Sequence, residues 1–343
     1  MNAIEIATLL ALFRPNDLKS LGNINVIEKG DLLLYNYGDK AIFEGTWNQF
    51  ELVSRGLIIN RVSGEIVARP FDKFFNWGEG GRTSSTQILS ATEKLDGSLG
   101  ILYRTEGQYR IATRGSFDSE QAIWATDYLN KHHDLTELAD NWTLLFEIIY
   151  PGNRVVVDYG DKQGLSLLAM RDRFDGLYAT RIECELVAEQ FGFEMPRTFV
   201  FDSVDEILAA MKVITANHEG WVVEFVDGQR FKFKGEEYLK LHKLISGLSL
   251  KSVLQAIQSG KLDDYRAQMP EEFQPTIALY ATEISDRIVQ LSDEINSIFI
   301  AAPKTSRKDF AIWVNQNHKE HAPYLFAKLD DKPVIEYIYR LAF

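Results

Sequence analysis

The sequence has almost no cysteine and no long hydrophobic run. Cys184 is the single cysteine among 343 residues, so the chain cannot form an internal disulfide, and a disulfide-stapled secreted fold is excluded. No apolar stretch approaches the ~20 residues that a membrane-spanning helix needs. The first 17 residues have no positively charged region and no small-residue cleavage pattern, which favours an amphipathic helix over a signal peptide. These absences predict a cytoplasmic protein with no membrane partner.

Positive charge is also scarce. The chain has 37 Lys and Arg residues against 49 Asp and Glu residues, which gives a formal net charge of −12. A protein that coats nucleic acid through bulk electrostatics is normally basic, so the charge argues against that class but not against an enzyme with one local basic cleft. The segment 248–343 has a net charge of only −2, so most of the acidity lies in residues 1–247. A phosphate site in that part must be built from a few well-placed cations.

Several familiar nucleotide and metal motifs are missing as well. The chain has no Gly-rich Walker-type loop and no Rossmann fingerprint, so nucleotide binding of those kinds is excluded. A single thiol rules out a cysteine cluster for zinc. His132 and His133 are adjacent, so on a helix they point about 100° apart and form a poor metal pair.

The hydrophobic pattern predicts an α+β fold in the first part of the chain. Runs rich in Val, Ile, Leu and Tyr, separated by Gly, are typical of strands. The predicted strands are 31–37, 51–60, 64–68, 88–94, 99–105, 108–113, 142–150, 153–159, 165–170 and the two arms of a hairpin over 221–234. The predicted helices are 118–131, capped by Asp118 or Ser119, then 183–192 and 203–215.

The periodicity changes near residues 245–250. Apolar residues then follow helical spacing at 249–260, 271–298, 307–318 and 333–343, with no strand alternation. We therefore expect an α+β domain over 1–247 and an all-helical C-terminal domain over 248–343. A chain of this length normally divides into two hydrophobic cores.

A lysine stands at the mouth of a predicted turn in the segment EKLDGSLG, residues 93–100. Asp96, Gly97 and Ser98 are typical turn residues, with Gly97 free to take a positive φ, and the flanking segments read as the strands of a hairpin. Lys94 therefore has two interpretations, a solvated lysine beside a hairpin or a reactive amine. The rest of the chain decides between them.

Charged residues recur at other predicted strands. Glu147 interrupts the apolar run LLFEIIY, where a charge is costly unless it is paired or faces a cavity. Lys232 and Lys234 alternate with phenylalanines in FKFK, so both face one side of a strand. A buried salt bridge or an edge-strand gatekeeper is the competing interpretation of each. Further candidates at strand ends are Arg55 in SRG, Lys73 and Phe75 in RPFDKFFN, Arg114 in TRG, and Glu219 in EGW.

The order of these motifs resembles that of the covalent nucleotidyltransferases, the superfamily of ATP-dependent ligases and mRNA capping enzymes. More narrowly, it is similar to family one of the phage-type RNA ligases, whose members repair cut tRNA. The segments that carry the resemblance are RPFDKFFN, KLDGSL, RGSFDSEQA, FEIIYPGNRVVVDY, EGWVVEF and FKFKGEEYLKLH, within about residues 30–245. The resemblance implies a nucleotidyltransferase (ATP-grasp-like) domain of two antiparallel sheets with flanking helices and the nucleotide between the sheets.

The resemblance also implies roles for single residues. Lys94 would be the nucleophile that takes AMP, and Lys232 and Lys234 would be catalytic cations on the α-phosphate. Glu147 would hold the ribose, while Glu219 would contact the nucleotide and position a metal ion, with Asp96 as a second metal ligand through water. The other nucleotide-binding residues would be Tyr35, Arg55, Lys73, Phe75, Gly97 and Arg114. Arg114 stands where the family has a lysine, and a guanidinium keeps a phosphate or ribose contact but cannot transfer a proton.

The implied reaction uses ATP with Mg²⁺ or Mn²⁺. An amine attacks phosphorus only when neutral, and nearby cations favour the neutral form. Lys94 would form lysyl-AMP, AMP would pass to an RNA 5′-phosphate, and the RNA 3′-hydroxyl would displace it. The expected partner is RNA with such ends, nicked tRNA included, and the expected protein is a monomer whose helical tail contributes to the choice of RNA.

Two alternatives stay open. A DNA ligase or a capping enzyme normally has an OB-fold barrel after the Lys-x-Lys strand, and the helical tail argues against one. A non-catalytic RNA-binding protein of the same fold is the second alternative. The intact set of Lys94, Glu147, Glu219, Lys232 and Lys234 argues against it.

Overall fold

The computed structural model describes residues 23–38, 41–42, 45, 47–245, 247–269 and 273–335. The helix predicted within the first 17 residues lies outside these ranges, as does most of the helix predicted over 333–343. The chain divides into two compact units, Met1–Ile245 and Ser246–Phe343. Within the described ranges, no helix combines the length and the apolar character that crossing a membrane requires.

An antiparallel meander opens the described part of the first unit. Its strands are, in order, β1 (Ile24–Lys29), β2 (Leu32–Tyr37), β3 (Arg55–Asn60) and β4 (Ile66–Ala68). The strand predicted over 51–60 is wrong in its first half, where Gln49–Val53 forms the short helix α1. Asn48 causes this because its side chain accepts hydrogen bonds from the Phe50 and Glu51 amides, while the Glu51 carboxylate accepts from the Asn48 amide.

A second sheet contains the strand that precedes Lys94 and the strand that carries Lys232 and Lys234. Its members are β5 (Phe75–Asn76), β6 (Ile88–Glu93), β11 (Thr198–Phe199), β12 (Gly220–Phe225) and β13 (Arg230–Lys234). Their order across the sheet is β11-β6-β12-β13-β5, and only the short β13–β5 pair is parallel among them. Trp221, Phe225 and Phe233 are buried in the hydrophobic cluster of this sheet.

The third sheet has the order β10-β9-β7-β8 and is antiparallel. Its strands are β7 (Ser98–Thr105), β8 (Gln108–Ala112), β9 (Trp142–Ile149) and β10 (Gly164–Asp172). The helices α2 (Glu120–His132) and α3 (Arg181–Phe191) contribute Leu129 and Ala188 to a core that also contains Phe146 of β9. The predicted helix 118–131 is thus confirmed, with Ser119 as its cap.

The prediction of two antiparallel sheets is wrong in number, since the described residues form three. The reason is that β6 and β7 do not form the predicted hairpin. β6 pairs with β12, whereas β7 pairs with β9, so the chain crosses from one sheet to another at residues 94–97. Lys94 therefore lies at a junction between two sheets.

Two other predictions between 150 and 245 need correction. The segment 153–159 is not a strand but follows a 3₁₀ turn at Pro151–Asn153, because the Val156 and Val157 amides bind the Asp96 carboxylate instead of a neighbouring strand. A helix after the last hairpin was not predicted. It is α5 (Glu236–Ile245), and it follows the shorter α4 (Val204–Met211), which the sequence predicts over 203–215.

The described residues of the second unit form helices and no strand, as predicted. These helices are α6 (Leu250–Gln258), α7 (Leu262–Gln268), α8 (Gln274–Ala301), α9 (Arg307–Asn317) and α10 (Ala322–Leu329). The long helix α8 contributes to two hydrophobic clusters, one around Val253 and Ile277 and the other around Leu291 and Phe310. Helices α7 and α10 were not predicted, because each is short and has few apolar periods.

Candidate active site

The site begins at the junction that carries Lys94. Its amide donates to the Gly220 carbonyl at 2.9 Å, which continues the pairing of β6 with β12 past the last residue of β6. Its Nζ donates to Glu219 Oε2 at 2.7 Å. The Lys94 side chain is 20% exposed and that of Glu219 is 2% exposed. The solvated-lysine interpretation is therefore wrong, since Lys94 points at a buried carboxylate.

Gly97 is required here for a different reason from the predicted one. It does not have a positive φ. A side chain at this position would collide with the Ile148 carbonyl oxygen, because the loop lies directly against β9. The Gly97 amide donates to Glu147 Oε1 at 2.9 Å. The close approach thus links the Lys94 loop to Glu147.

Glu219 bridges two lysines. Its Oε1 lies 3.0 Å from Lys234 Nζ, and its Oε2 accepts from Lys94. Burial raises the pKa of the Glu219 carboxyl, but the two ammonium groups more than offset this effect, so its pKa lies below the usual value. Glu219 is consequently ionised at neutral pH and holds both amines in one small region.

Glu147 lies on β9, and its pKa is shifted in the opposite direction from that of Glu219. Burial raises the pKa of the Glu147 carboxyl to about 7, and the negative charges of Glu219 and Asp96 act in the same direction, whereas Lys94 opposes them. The carboxyl therefore changes its charge near neutral pH. Its Oε1 accepts from the Gly97 amide, and its second oxygen can serve as an acceptor for a ligand hydroxyl.

The Glu147 setting makes stability depend on pH. Because the pKa in the folded protein is above that of the unfolded chain, near 4.5, the folded state binds the extra proton, and stability falls as pH rises from about 4.5 to about 7. We expect Glu147→Gln, which cannot ionise, to gain about 2–4 °C in Tm over the native protein at pH 8, equivalent to about 1 kcal/mol. Near pH 4.5 the two proteins should melt together. Thermal unfolding at both pH values measures this, with the exposed Glu137→Gln as control; an equal shift at both pH values would contradict it.

Lys232 and Lys234 are buried side chains, 7% and 9% exposed, on β13. Their strand pairs with β12 on one side and β5 on the other. The edge-gatekeeper interpretation is therefore wrong for both lysines. Lys232 Nζ lies 5.2 Å from the centroid of the Phe74 ring, and Lys234 Nζ lies 5.8 Å from that of Tyr238. Lys234 pairs with the carboxylate that also pairs with Lys94, and Lys232, two residues earlier on the same strand, lies on the same face of it.

Arg55, at the start of β3, adds a third cation to the region. Its guanidinium lies 5.6 Å from the centroid of the Phe74 ring, the same ring that Lys232 approaches. Its Nε and Nη1 are buried with no hydrogen-bond partner among the described residues. A buried guanidinium nitrogen that lacks an acceptor is costly, and a phosphate oxygen would satisfy it.

The other predicted pocket residues form an aromatic and cationic group near β5. Lys73 Nζ lies 4.5 Å from the centroid of the Phe75 ring and 5.3 Å from that of Trp47. The Arg114 guanidinium donates to the Tyr37 hydroxyl at 3.0 Å. Sequence reasoning missed Trp47 and Tyr37, because neither lies in a segment that carries the resemblance.

Tyr35 lies in the core of the first sheet. It is 4% exposed and packs in the hydrophobic cluster of the first sheet with Leu33 and Leu57. Burial, followed by the nearby charge of Glu28, raises the pKa of its hydroxyl. The tyrosine of β2 that meets a predicted site residue is Tyr37, and the role of Tyr35 stays a prediction.

A cavity of about 300 Å³ lies beside Lys94 and Glu219. Its walls also include Glu93, Tyr159, Arg197 and His218, and none of these four was predicted as a site residue. Arg197 donates to both oxygens of Glu93 at 2.8 and 2.9 Å, and these hydrogen bonds hold the pKa of Glu93 below its usual value. Glu93 and Tyr159 lie in segments singled out in the sequence, so their positions could have identified them as site residues. Nothing in the sequence pointed to Arg197 or His218.

Asp96 is placed differently from its predicted metal role. It is 5% exposed, its Oδ2 accepts from the Val156 and Val157 amides, both at 2.8 Å, and its Oδ1 accepts from the Tyr238 hydroxyl at 2.8 Å. Both oxygens are thus occupied by protein donors. Asp96 thus holds the loop, and its role toward a metal through water stays a prediction.

The part of the chain that contains the candidate site is similar to known proteins. Residues 53–239 match the model of a family described as RNA ligase. The chain is 23% identical to the RNA ligase of Rhodothermus phage RM378, with 88% of this chain and 86% of that protein aligned. It is 26% identical to a putative bifunctional polynucleotide kinase/RNA ligase of Autographa californica nuclear polyhedrosis virus, over 72% of this chain.

The matches differ in how much of each relative they cover. The chain spans 40% of the length of the baculovirus protein. Among solved structures, a Naegleria gruberi RNA ligase variant with ATP and manganese is 24% identical, with a TM-score of 0.38 over 46% of this chain and 52% of that chain.

Proposed function

Since this chain belongs to the RNA ligase family, we propose that it is an ATP-dependent ligase that joins RNA 3′-hydroxyl and 5′-phosphate ends through lysyl-AMP and adenylated RNA. The observation that carries this proposal is the Lys94 amine, held 2.7 Å from buried Glu219 at the edge of a cavity. Lys234 pairs with the same carboxylate at 3.0 Å. An amine, its carboxylate partner and a second cation at one point are the groups that nucleotidyl transfer to lysine requires.

The cavity beside Lys94 is the proposed site of the ATP base. Tyr159 supplies an aromatic wall, and Glu93 supplies a carboxylate that Arg197 keeps ionised and fixed. A fixed carboxylate accepts from the exocyclic amino group of adenine and repels the carbonyl oxygen that guanine has at that position. This arrangement supports ATP over GTP as the nucleotide.

The remaining nucleotide groups have matching partners. Glu147, with one oxygen available as an acceptor, suits a ribose hydroxyl. Lys232, Lys234 and the unsatisfied guanidinium nitrogens of Arg55 suit the phosphates. Lys73, Phe75, Arg114 and Gly97 would complete the pocket as the family resemblance implies.

The attacking group must change its charge before it reacts. In the structure the Lys94 ammonium donates to Glu219, whereas attack on phosphorus requires the neutral amine. Lys234 competes for the same carboxylate. When the negative α-phosphate approaches, Lys232 and Lys234 stabilise the charge that develops on it, and the bond to pyrophosphate breaks as the Nζ–P bond forms. Nζ loses one proton before the attack and a second after it, and both pass to solvent, to which the Lys94 side chain is 20% exposed.

A divalent cation, Mg²⁺ or Mn²⁺, is part of the proposal. The described residues contain no group of three His, Cys, Asp or Glu side chains that could hold a metal. They fit a cation bound by one or two carboxylates together with substrate phosphates and water, as is usual for Mg²⁺. Glu219 is the carboxylate that would hold it, with Asp96 as a second ligand through water, and the cation would neutralise phosphate charge.

RNA is favoured over DNA as the substrate by the second unit. DNA ligases and capping enzymes normally place a barrel after the Lys-x-Lys strand, and a barrel needs several strands. The described residues beyond 247 form helices and no strand. We propose that residues 1–247 perform adenylyl transfer and that 248–343 contribute to RNA choice, with nicked tRNA as one candidate.

A truncated chain tests this division. We expect a protein that ends at Gly247 to form lysyl-AMP at a rate within about threefold of the full chain, because the residues assigned to the nucleotide all precede that point. A threefold change in rate corresponds to less than about 1 kcal/mol in activation free energy. It should join linear RNA but lose preference for a nicked stem-loop. Adenylation and competition between the two RNAs are measured beside circular dichroism. A folded truncation without lysyl-AMP, or one with unchanged preference, would contradict the division.

A further inference from the structure

Tyr238 contacts both ends of the catalytic set. It lies in α5 and is 1% exposed. Its hydroxyl donates to Asp96 Oδ1 at 2.8 Å, two residues after Lys94 in the chain. Its ring centroid lies 5.8 Å from Lys234 Nζ. One buried side chain therefore touches the loop of the attacking amine and the cation that shares its carboxylate.

His242 lies one helical turn after Tyr238 and is also buried, at 6% exposure. Its Nδ1 lies 3.2 Å from the Tyr238 hydroxyl oxygen. The hydroxyl has one proton, and the ionised Asp96 carboxylate can only accept, so that proton belongs to the bond with Asp96. His242 Nδ1 must then be the donor to the Tyr238 oxygen, which fixes the imidazole tautomer and the direction of the hydroxyl.

Asp96 also contacts a residue of the cavity wall. Its second oxygen accepts from the amides of Val156 and Val157, and its own amide donates to the Tyr159 hydroxyl at 2.8 Å. Tyr159 is a wall of the cavity beside Lys94. Asp96, two residues after Lys94, is thus linked through its carboxylate to Tyr238 and through its amide to a wall of the proposed base site.

We propose that Tyr238 is a positioning residue for Lys94, acting through the Asp96 carboxylate, and that His242 orients its hydroxyl. The inference rests on the proposed adenylyl transfer. In-line attack depends on the placement of the amine relative to the bound nucleotide, and a displacement of about 1 Å can cost up to about 10²-fold in rate. Loss of the hydroxyl should therefore slow the chemical step more than it weakens ATP binding.

The test is single-turnover adenylation of the full chain with α-labelled ATP over a range of ATP concentrations. We expect Tyr238→Phe to lower the maximal rate about tenfold, with half-saturation by ATP changed less than about twofold. His242→Leu should lower the rate by less. In the double variant, His242→Leu should add no further loss, because His242 acts through the hydroxyl that Tyr238→Phe has removed. Tyr109→Phe is the control, since its hydroxyl donates to the Leu138 carbonyl in another part of the core.

Each outcome decides the matter. A normal maximal rate in Tyr238→Phe, or a full additional loss in the double variant, overturns the inference. If Tyr238→Phe does not fold, His242→Leu decides alone, and a normal rate overturns the inference. Absence of labelling in the native protein overturns the proposed function itself, and so is distinct from native labelling with an unaffected variant.

Discussion

Lys94→Ala is expected to abolish the covalent protein–AMP adduct. The proposed reaction forms a bond between Nζ of this residue and the α-phosphorus, and this Nζ donates to one oxygen of Glu219 while Lys234 pairs with the other. Incubation with α-labelled ATP and Mg²⁺, followed by denaturing electrophoresis, measures the adduct. The native protein should carry label, and pyrophosphate should remove it.

The fold should survive this substitution. Removing one partner of a buried ion pair is strongly destabilising when the remaining charge is left alone. Here Glu219 keeps Lys234 at 3.0 Å, so it does not become an unpaired buried charge. Lys94→Met, which retains much of the apolar stem, serves as a second variant and should also lack the adduct. Label that persists in either variant would show that another residue is the nucleophile.

The same assay separates the alternatives. Labelling from α-labelled GTP but not from ATP would indicate a capping enzyme. A native protein that binds RNA but takes no label from either nucleotide would indicate a non-catalytic member of the family. ATP labelling followed by joining of nicked DNA, but not RNA, would favour a DNA ligase.

The fold was predictable from the sequence where a local signal decides the structure. Strand β9 and the hairpin from β12 to β13 follow from apolar runs and an Asp-Gly turn. The number of sheets could not be predicted from the sequence. A turn signal such as Asp96-Gly97 has the same residues whether the flanking strands pair with each other or with distant partners. The pairing of β6 with β12 and of β7 with β9 is a long-range choice.

The candidate site divides in the same way. Lys94, Glu147 and Glu219 were found because a charge among apolar residues, or at a strand end, is visible in the sequence. The partners that hold the loop, Tyr238 and His242, lie in a helix whose boundaries were not predicted. Their role depends on contacts with Asp96 from a part of the chain more than 100 residues away.

The last prediction concerns the two lysines of β13. Lys232→Ala and Lys234→Ala should each slow single-turnover adenylation by about 10²-fold or more, the usual cost of removing one preorganised contact to a developing charge. Both side chains are buried, so solvent has little access to replace the lost ammonium. The two variants should differ in a second measurement. Lys234→Ala removes one of the two partners of Glu219, whereas Lys232→Ala leaves that bridge intact. We therefore expect Lys234→Ala to lower Tm more than Lys232→Ala does.

Lys240→Ala is the matched control for both variants. Lys240 lies on α5 and pairs with Glu237 at 2.7 Å on an exposed surface, so its removal should leave the adenylation rate and Tm nearly unchanged. Near-normal rates in both β13 variants would remove these lysines from the phosphate site.

A double variant, Lys94→Ala with Lys234→Ala, gives the most demanding result. It leaves Glu219 as a buried carboxylate without Lys94 or Lys234. We expect its destabilisation to exceed the sum of the two single variants, since either lysine alone can keep the charge paired. Additive losses would mean that the two lysines stabilise the fold independently, and that Glu219 does not bridge the attacking amine and the phosphate-binding cation in solution.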